Sequence, residues 1–268
     1  MNDIPRISQE FPPESKKTIP VIKARQLLFE TIREYRNHFG KYFAISAIVL
    51  LPLAGFTAWF NPESRVWYLS IPFSVIATLI SYYSHIALLY ITREYSANNP
   101  TKISTAYLTS VTMYLAFVYT MILVFLATLV GTAFCVIPGI MAYVVFCIAD
   151  GIVVWEGTYS IPAMQRSLAL IRNYFWQVLW ILVVFDLSIG LVTLVLTEIP
   201  TFFLPEIPNL YKQLFNKDAV QFIYPWWYVL YQELINMIIF PTGAIMTYIL
   251  YRNLKEVNEQ KIELPLNL

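Results

Sequence analysis

Residues 103–149, ISTAYLTSVTMYLAFVYTMILVFLATLVGTAFCVIPGIMAYVVFCIA, lie between Lys102 and Asp150 and contain no charged side chain. One crossing of a bilayer takes about 20 apolar residues, so this block is too long for a single span. Its one strong breaker is Pro138-Gly139. Proline has no N–H to donate, and glycine permits a tight reversal. The block therefore predicts two membrane helices, 110–136 and 140–156, joined by a turn at Ile137-Pro138-Gly139.

Working outward with prolines and charges as punctuation gives four more apolar stretches: 41–60, 67–92, 174–197 and 225–251. The first contains Pro52, which a membrane helix tolerates as a kink, and Arg93-Glu94 closes the second. Composition agrees with this count. Of 268 residues, 58% are hydrophobic and 13% charged, against about 25% charged in soluble domains. One soluble core of this size cannot hide so much apolar surface, whereas a lipid bilayer can. The predicted fold class is all-α: a polytopic membrane helical bundle of six transmembrane helices. Residues 1–19, with Pro5, Pro12 and Pro13, read as a flexible cytoplasmic arm, 20–254 as the six-span domain and 255–268 as a cytoplasmic tail. The first forty residues lack the short apolar run of a signal peptide.

Basic residues set the expected orientation. Of the 18 lysines and arginines, all but Arg65, Lys212 and Lys217 fall on the side of the termini, and cytoplasmic loops carry the Lys/Arg excess. Both termini are therefore expected in the cytoplasm, and the location is a cell membrane, of a bacterial kind. Trp67, Tyr68, Trp155, Trp176, Trp226 and Trp227 fall at predicted span ends, where aromatic belts form.

Three segments on the basic side carry an apolar stripe at helical spacing. Residues 21–39 align Val21, Ala24, Leu28, Ile32, Tyr35 and Phe39, with Lys23, Arg25, Arg33 and Arg36 largely elsewhere. Residues 161–175 align Met164, Leu168, Ile171 and Phe175 against Gln165, Arg166 and Arg172. Residues 103–114 repeat the pattern weakly through Ile103, Tyr107, Val111 and Tyr114. Each predicts a cytoplasmic amphipathic helix lying in the membrane interface, so the chain reads as three units of interfacial helix plus hairpin. Lys23, Arg25, Arg33, Arg36, Arg166 and Arg172 are the candidate surface for anionic lipid or a protein partner at the cytoplasmic face. The external segment 198–224, broken by Pro200, Pro205 and Pro208, is either a connector or a recognition element with a short helix at Leu210–Phe215.

Ile137-Pro138-Gly139, an apolar span, Glu156-Gly157, Ala163-x-x-Arg166-Ser167 and Phe175-Trp176 follow one another in an order that resembles a bacterial family. These are membrane proteins related to the membrane domain of glycerophosphoryl diester phosphodiesterases, and their YciC-like relatives. Residues 24–51 are similar to the opening of that family. The resemblance implies a six-helix membrane domain. It implies no phosphodiesterase activity, because in fused members the chemistry belongs to a separate soluble barrel with carboxylates, histidines and a metal, for which this chain has no room.

Ionisable groups at membrane depth are costly and are functional candidates by default. Counting about 1.5 Å per residue through a core of about 30 Å, Asp150, Asp186 and Glu233 approach the midplane. His85 lies in the cytoplasmic half of the second span, behind Ser81-Tyr82-Tyr83-Ser84, and Asn236 shares a helix face with Glu233. His85, Asp150, Asp186, Glu233 and Asn236 are thus the candidate polar cavity, binding a proton or cation. The alternative is that each is satisfied separately by a neighbouring helix. Glu156, at a span end, is expected to pair with Arg166 or Arg172.

Catalytic signatures are missing. Cys147-Ile148-Ala149 stands before Asp150, where an intramembrane aspartyl protease would carry glycines. There is no His-Glu-x-x-His and no Gly-rich phosphate loop. Net charge is +1 without a basic stripe, so nucleic acid is not an expected partner. No cofactor or metal is expected, and Cys135 and Cys147 read as packing residues rather than a disulfide. The leading expectation is a non-enzymatic scaffold or partner subunit in envelope or lipid-related processes. The alternative is a small transporter or channel with a polar cavity lined by midplane carboxylates.

Overall fold

The computed structural model describes residues 23–60, 67–99, 101–203 and 225–263, and these are helical almost throughout. In chain order the helices are α1 (Ala24–Asn37), α2 (Phe39–Phe60), α3 (Trp67–Ser96), α4 (Ile103–Phe134), α5 (Val136–Phe146), α6 (Ala149–Glu156), α7 (Ile161–Ile171), α8 (Phe175–Phe203) and α9 (Trp226–Glu263). Six segments are long and apolar enough to cross a membrane: Phe39–Thr57, Ile71–Ser96, Ile103–Phe134, Val136–Glu156, Phe175–Thr201 and Trp226–Glu259. The all-α six-span bundle is therefore present. The arm 1–19, Val21, Arg65, the segment Leu210–Phe215, Lys212 and Lys217 lie outside the described residues.

In hydrocarbon every backbone polar group must be satisfied within the protein, and several hydroxyls inside the spans are satisfied by their own helix. Thr57, Thr92, Ser110, Thr120 and Thr128 each donate to the carbonyl four residues back. Pro200 removes the N–H that would reach Leu196. There the Tyr231 hydroxyl of α9 donates to the Leu196 carbonyl at 2.7 Å, and Tyr228 donates to Thr197 at 3.2 Å. Two tyrosines a turn apart thus satisfy the backbone beside a proline kink.

The hairpin in the uncharged block departs from expectation. The reversal is at Cys135, whose backbone is extended (φ −171°, ψ 153°), and not at Pro138-Gly139. Pro138 lies inside α5, in its first turn, where a missing N–H is not felt. Gly139 instead serves close packing: a Cβ there would stand 2.1 Å from Thr132 Oγ1 and 2.9 Å from Thr132 Cα. Small residues that let helix backbones approach are the usual means of packing in membranes.

Span four is also broken. It consists of α5 and α6, separated at Cys147-Ile148, with Ile148 outside the helical region (φ −110°, ψ 4°). The segment 103–114 is no separate interfacial helix; it is the first third of the continuous α4. The last helix continues to Glu263, well past 251.

α1 and α7 are separate short helices, but their buried faces are turned from the predicted stripes. α1 buries Leu27 and Thr31, with Ala24, Leu28 and Tyr35 partly covered, while Phe29, Ile32 and Phe39 are exposed. α7 buries Ala163, Ser167, Leu170 and Ile171, and Leu168 is exposed. The cause is tertiary: α1 lies on α9 and α8, and α7 on α5 and α6. The Tyr35 hydroxyl donates to Ile238 O at 2.6 Å. Burial pushes its pKa up to about 12, so it remains a donor. Ser167 donates to Val145 O at 2.6 Å, and Asn258 to Leu170 O at 3.3 Å.

Between α6 and α7, Gly157 has φ +67°, a left-handed helix end that side chains resist. Gly157→Ala is expected to cost about 1 kcal/mol through this backbone strain, read as a lowered midpoint of thermal unfolding in detergent. No loss would mean the loop relaxes freely.

The core is uneven. Its fully buried side chains concentrate at the end where α2 starts, α3 ends and α7 lies: Tyr42, Ile45, Ile86–Leu89, Ile91, Ile148, Ile152, Ile171 and Leu250. Towards the opposite end fewer of the described side chains are buried, among them Ala54, Tyr228, Ile235 and Met237. The polar candidates sit where the packed half gives way to the open one.

Candidate intramembrane polar site

Ser84 and His85 follow each other on α3, and helical geometry sends one towards α2 and the other towards the bundle's centre. Ser84 is fully buried and donates to Ile45 O at 3.3 Å. His85 turns between the edges of Phe117 and Phe240, its ring centroid 5.9 and 5.8 Å from theirs. Its Nε2 lies 2.9 Å from Asp150 Oδ2.

The break in span four explains how Asp150 reaches this point. Because α5 stops at Phe146 and α6 restarts at Ala149, Asp150 occupies a first helical turn. Its Oδ1 accepts the Gly151 N–H at 2.7 Å, and its Oδ2 faces the imidazole. A carboxylate at a helix start is favoured by the dipole. With Asp150 ionised, Nε2 must carry the proton that joins the pair. Both side chains are largely covered (21% and 14% exposed), so each needs the other.

The pair lies between two clefts. The first, about 520 Å³, is lined by Ser81, Tyr82, His85, Met121, Glu233 and Phe240 among others. The second, about 420 Å³, is lined by Tyr82, Met121, Tyr143, Cys147, Asp150 and Asp186 among others. Tyr82 and Met121 form walls of both. The four predicted ionisable residues are thus brought to two adjoining spaces, two to each. Asp186 is exposed at its cleft, and the Tyr143 hydroxyl donates to its Oδ2 at 3.3 Å. Glu233 has the Asn236 amide as its hydrogen-bonding neighbour. Asn236 itself is exposed and lines neither cleft. Among the described residues, neither lining contains a lysine or arginine.

The basic candidates separate into two kinds. Lys23, Arg25, Arg33, Arg36 and Arg172 are exposed. Arg25 sits over the Phe29 ring at 5.4 Å, and Arg25, Phe29, Ile32 and Arg36 share one outward face. Arg166 is engaged: its Nε lies 3.2 and 3.1 Å from the two Glu156 oxygens, and the Tyr251 hydroxyl donates to Oε1 at 2.7 Å. Of the two partners considered for Glu156, the structure selects Arg166.

Sequence reading missed the break, Tyr82, Met121 and Tyr143. The break at Cys147-Ile148 carries no glycine or proline of its own. Nothing distinguishes Tyr82 or Tyr143 in a chain with 19 tyrosines. Cys135 and Cys147 are free thiols. Among the described residues, no three His, Cys, Asp or Glu side chains are grouped to hold a metal ion. No family model, curated protein or solved structure matches the chain.

Proposed function

We propose that this multi-pass membrane protein is a small transporter or channel. The observation that carries the reading is the His85–Asp150 pair, held at a helix break between two clefts that also receive Glu233 and Asp186. Transporters commonly place their binding sites at discontinuous helices near the midplane. One proton joins His85 to Asp150, and a cation reaching Asp150 competes for the oxygen that the imidazole holds. Loading the site and moving that proton are therefore coupled. In this reading the protein is not an enzyme, and both termini face the cytoplasm of a bacterial cell, supported by the Lys/Arg distribution. The resemblance to the phosphodiesterase-linked membrane domain is in keeping with it, since that domain stands apart from the catalytic barrel.

A membrane scaffold is the second reading, favoured by the outward face of α1. There Arg25 and Arg36 alternate with the exposed Phe29 and Ile32, an arrangement in which apolar groups dip into lipid and basic heads reach anionic headgroups.

Water access separates the two. Single cysteines at positions 150, 186 and 233, in a protein lacking Cys135 and Cys147, are to be probed with a membrane-impermeant thiol reagent. Labelling of all three is expected for hydrated clefts. Silence in correctly inserted protein would leave the scaffold.

A further inference from the structure

A third depression, about 310 Å³, lies between α3 and α4. Val75, Val118, Ile122 and Phe125 contribute to its apolar wall, and Tyr82 and Met121, the residues common to both polar clefts, line it too. Val75, Ile122 and Phe125 are 54%, 49% and 64% exposed, so this groove opens on the side of the bundle that faces hydrocarbon. This groove thus adjoins the polar clefts, sharing Ser74, Thr78, Tyr82 and Met121 with the first and Tyr82, Met121 and Phe125 with the second.

Resting on the transport reading above, we infer that the site accepts a single-chain amphiphile with a cationic amine head, entering sideways from the bilayer between α3 and α4. The charge arrangement selects the head. His85 and Asp150 satisfy each other, whereas among the described residues Asp186 meets the Tyr143 hydroxyl and Glu233 the Asn236 amide, both neutral, with no lysine or arginine in the linings. An ammonium satisfies such carboxylates, and a sulfate or phosphate meets like charge. The groove selects the tail. A molecule already in the leaflet keeps its chain among apolar side chains while its head passes Tyr82 and Met121, so no hydrocarbon is exposed to water. A hydrophilic cation gains nothing from this groove.

The test uses the full chain in phosphatidylcholine nanodiscs with three photoactivatable probes of equal chain length: dodecylamine, dodecanol and dodecyl sulfate carrying the same diazirine. The amine is expected to crosslink near Val75 and Ile122 with roughly tenfold preference over the other two. Asp186→Asn with Glu233→Gln should bring the amine down to the level of the alcohol. Ile122→Trp, which fills the groove mouth, should remove amine labelling, and Val75→Trp provides a second blockade at an exposed position. Equal labelling by all three probes would overturn the inference, marking an ordinary lipid-facing surface, as would labelling indifferent to both tryptophans. Loss of the amine preference with cysteines 150, 186 and 233 still water-accessible removes this substrate class alone. Loss of both removes the transport reading as well.

Discussion

Replacing His85 with alanine is expected to destabilise the folded protein by about 1–3 kcal/mol, the scale for leaving a covered polar group without its hydrogen-bond partner. The covered Asp150 carboxylate would lose the donor 2.9 Å away and keep only the Gly151 N–H on its other oxygen. Tyr82, Tyr143 and Thr247 line the same cleft, but among the described residues the hydrogen bonds to Asp150 come from His85 and Gly151. The informative measurement is a double-mutant cycle by thermal unfolding in one detergent. His85→Ala and Asp150→Ala together should cost less than the sum of the single changes, by about 1 kcal/mol or more. Strict additivity would show that the two side chains do not meet in the folded protein.

Gly139→Val should be comparably damaging for a different reason. Turning the Thr132 side chain aside can relieve the 2.1 Å contact with its Oγ1, but the 2.9 Å contact with its Cα is backbone. The α4–α5 hairpin must therefore open, at an expected 1–3 kcal/mol, the usual range of about that size for overpacking. Thr132→Ala in the same protein should not restore stability. Gly190→Ala is the control, since a Cβ there meets nothing within 4 Å. A Gly139→Val protein as stable as the control would place the hairpin's close approach elsewhere.

Much of the architecture was legible because the bilayer imposes one simple rule: a long uncharged run must be helical and must be of spanning length. That rule located all six spans, and it drew attention to the acids within them, since an acid in such a run is conspicuous. It was weaker wherever packing decided. Pro138-Gly139 looked like the reversal, yet proline is harmless in a first turn, and the extended residue is Cys135. Tyr107 and Tyr114 suggested an interfacial helix, whereas their hydroxyls bind Ile45 O and Leu79 O and fix α4 to α2 and α3. Periodicity on α1 and α7 did not say which side packs on protein: Leu27 and Thr31, and Ala163, Ser167 and Leu170, are buried beside the predicted stripes. The partition of His85, Asp150, Asp186 and Glu233 between two clefts depends on how four helices are arranged, and no spacing in the chain encodes that directly.

The lopsided core gives the molecule a stiff base and a yielding rim. Local opening is easiest where few buried contacts must be broken, and here that is the half holding the clefts. The base is filled by Tyr42, Ile86 to Leu89, Ile91 and Leu250, where many buried contacts resist opening. Tyr228 and Tyr231 tie α9 to the kinked part of α8 within that rim. Those two hydrogen bonds join α8 to the helix that carries Glu233, so the wall of its cleft is braced by a neighbour.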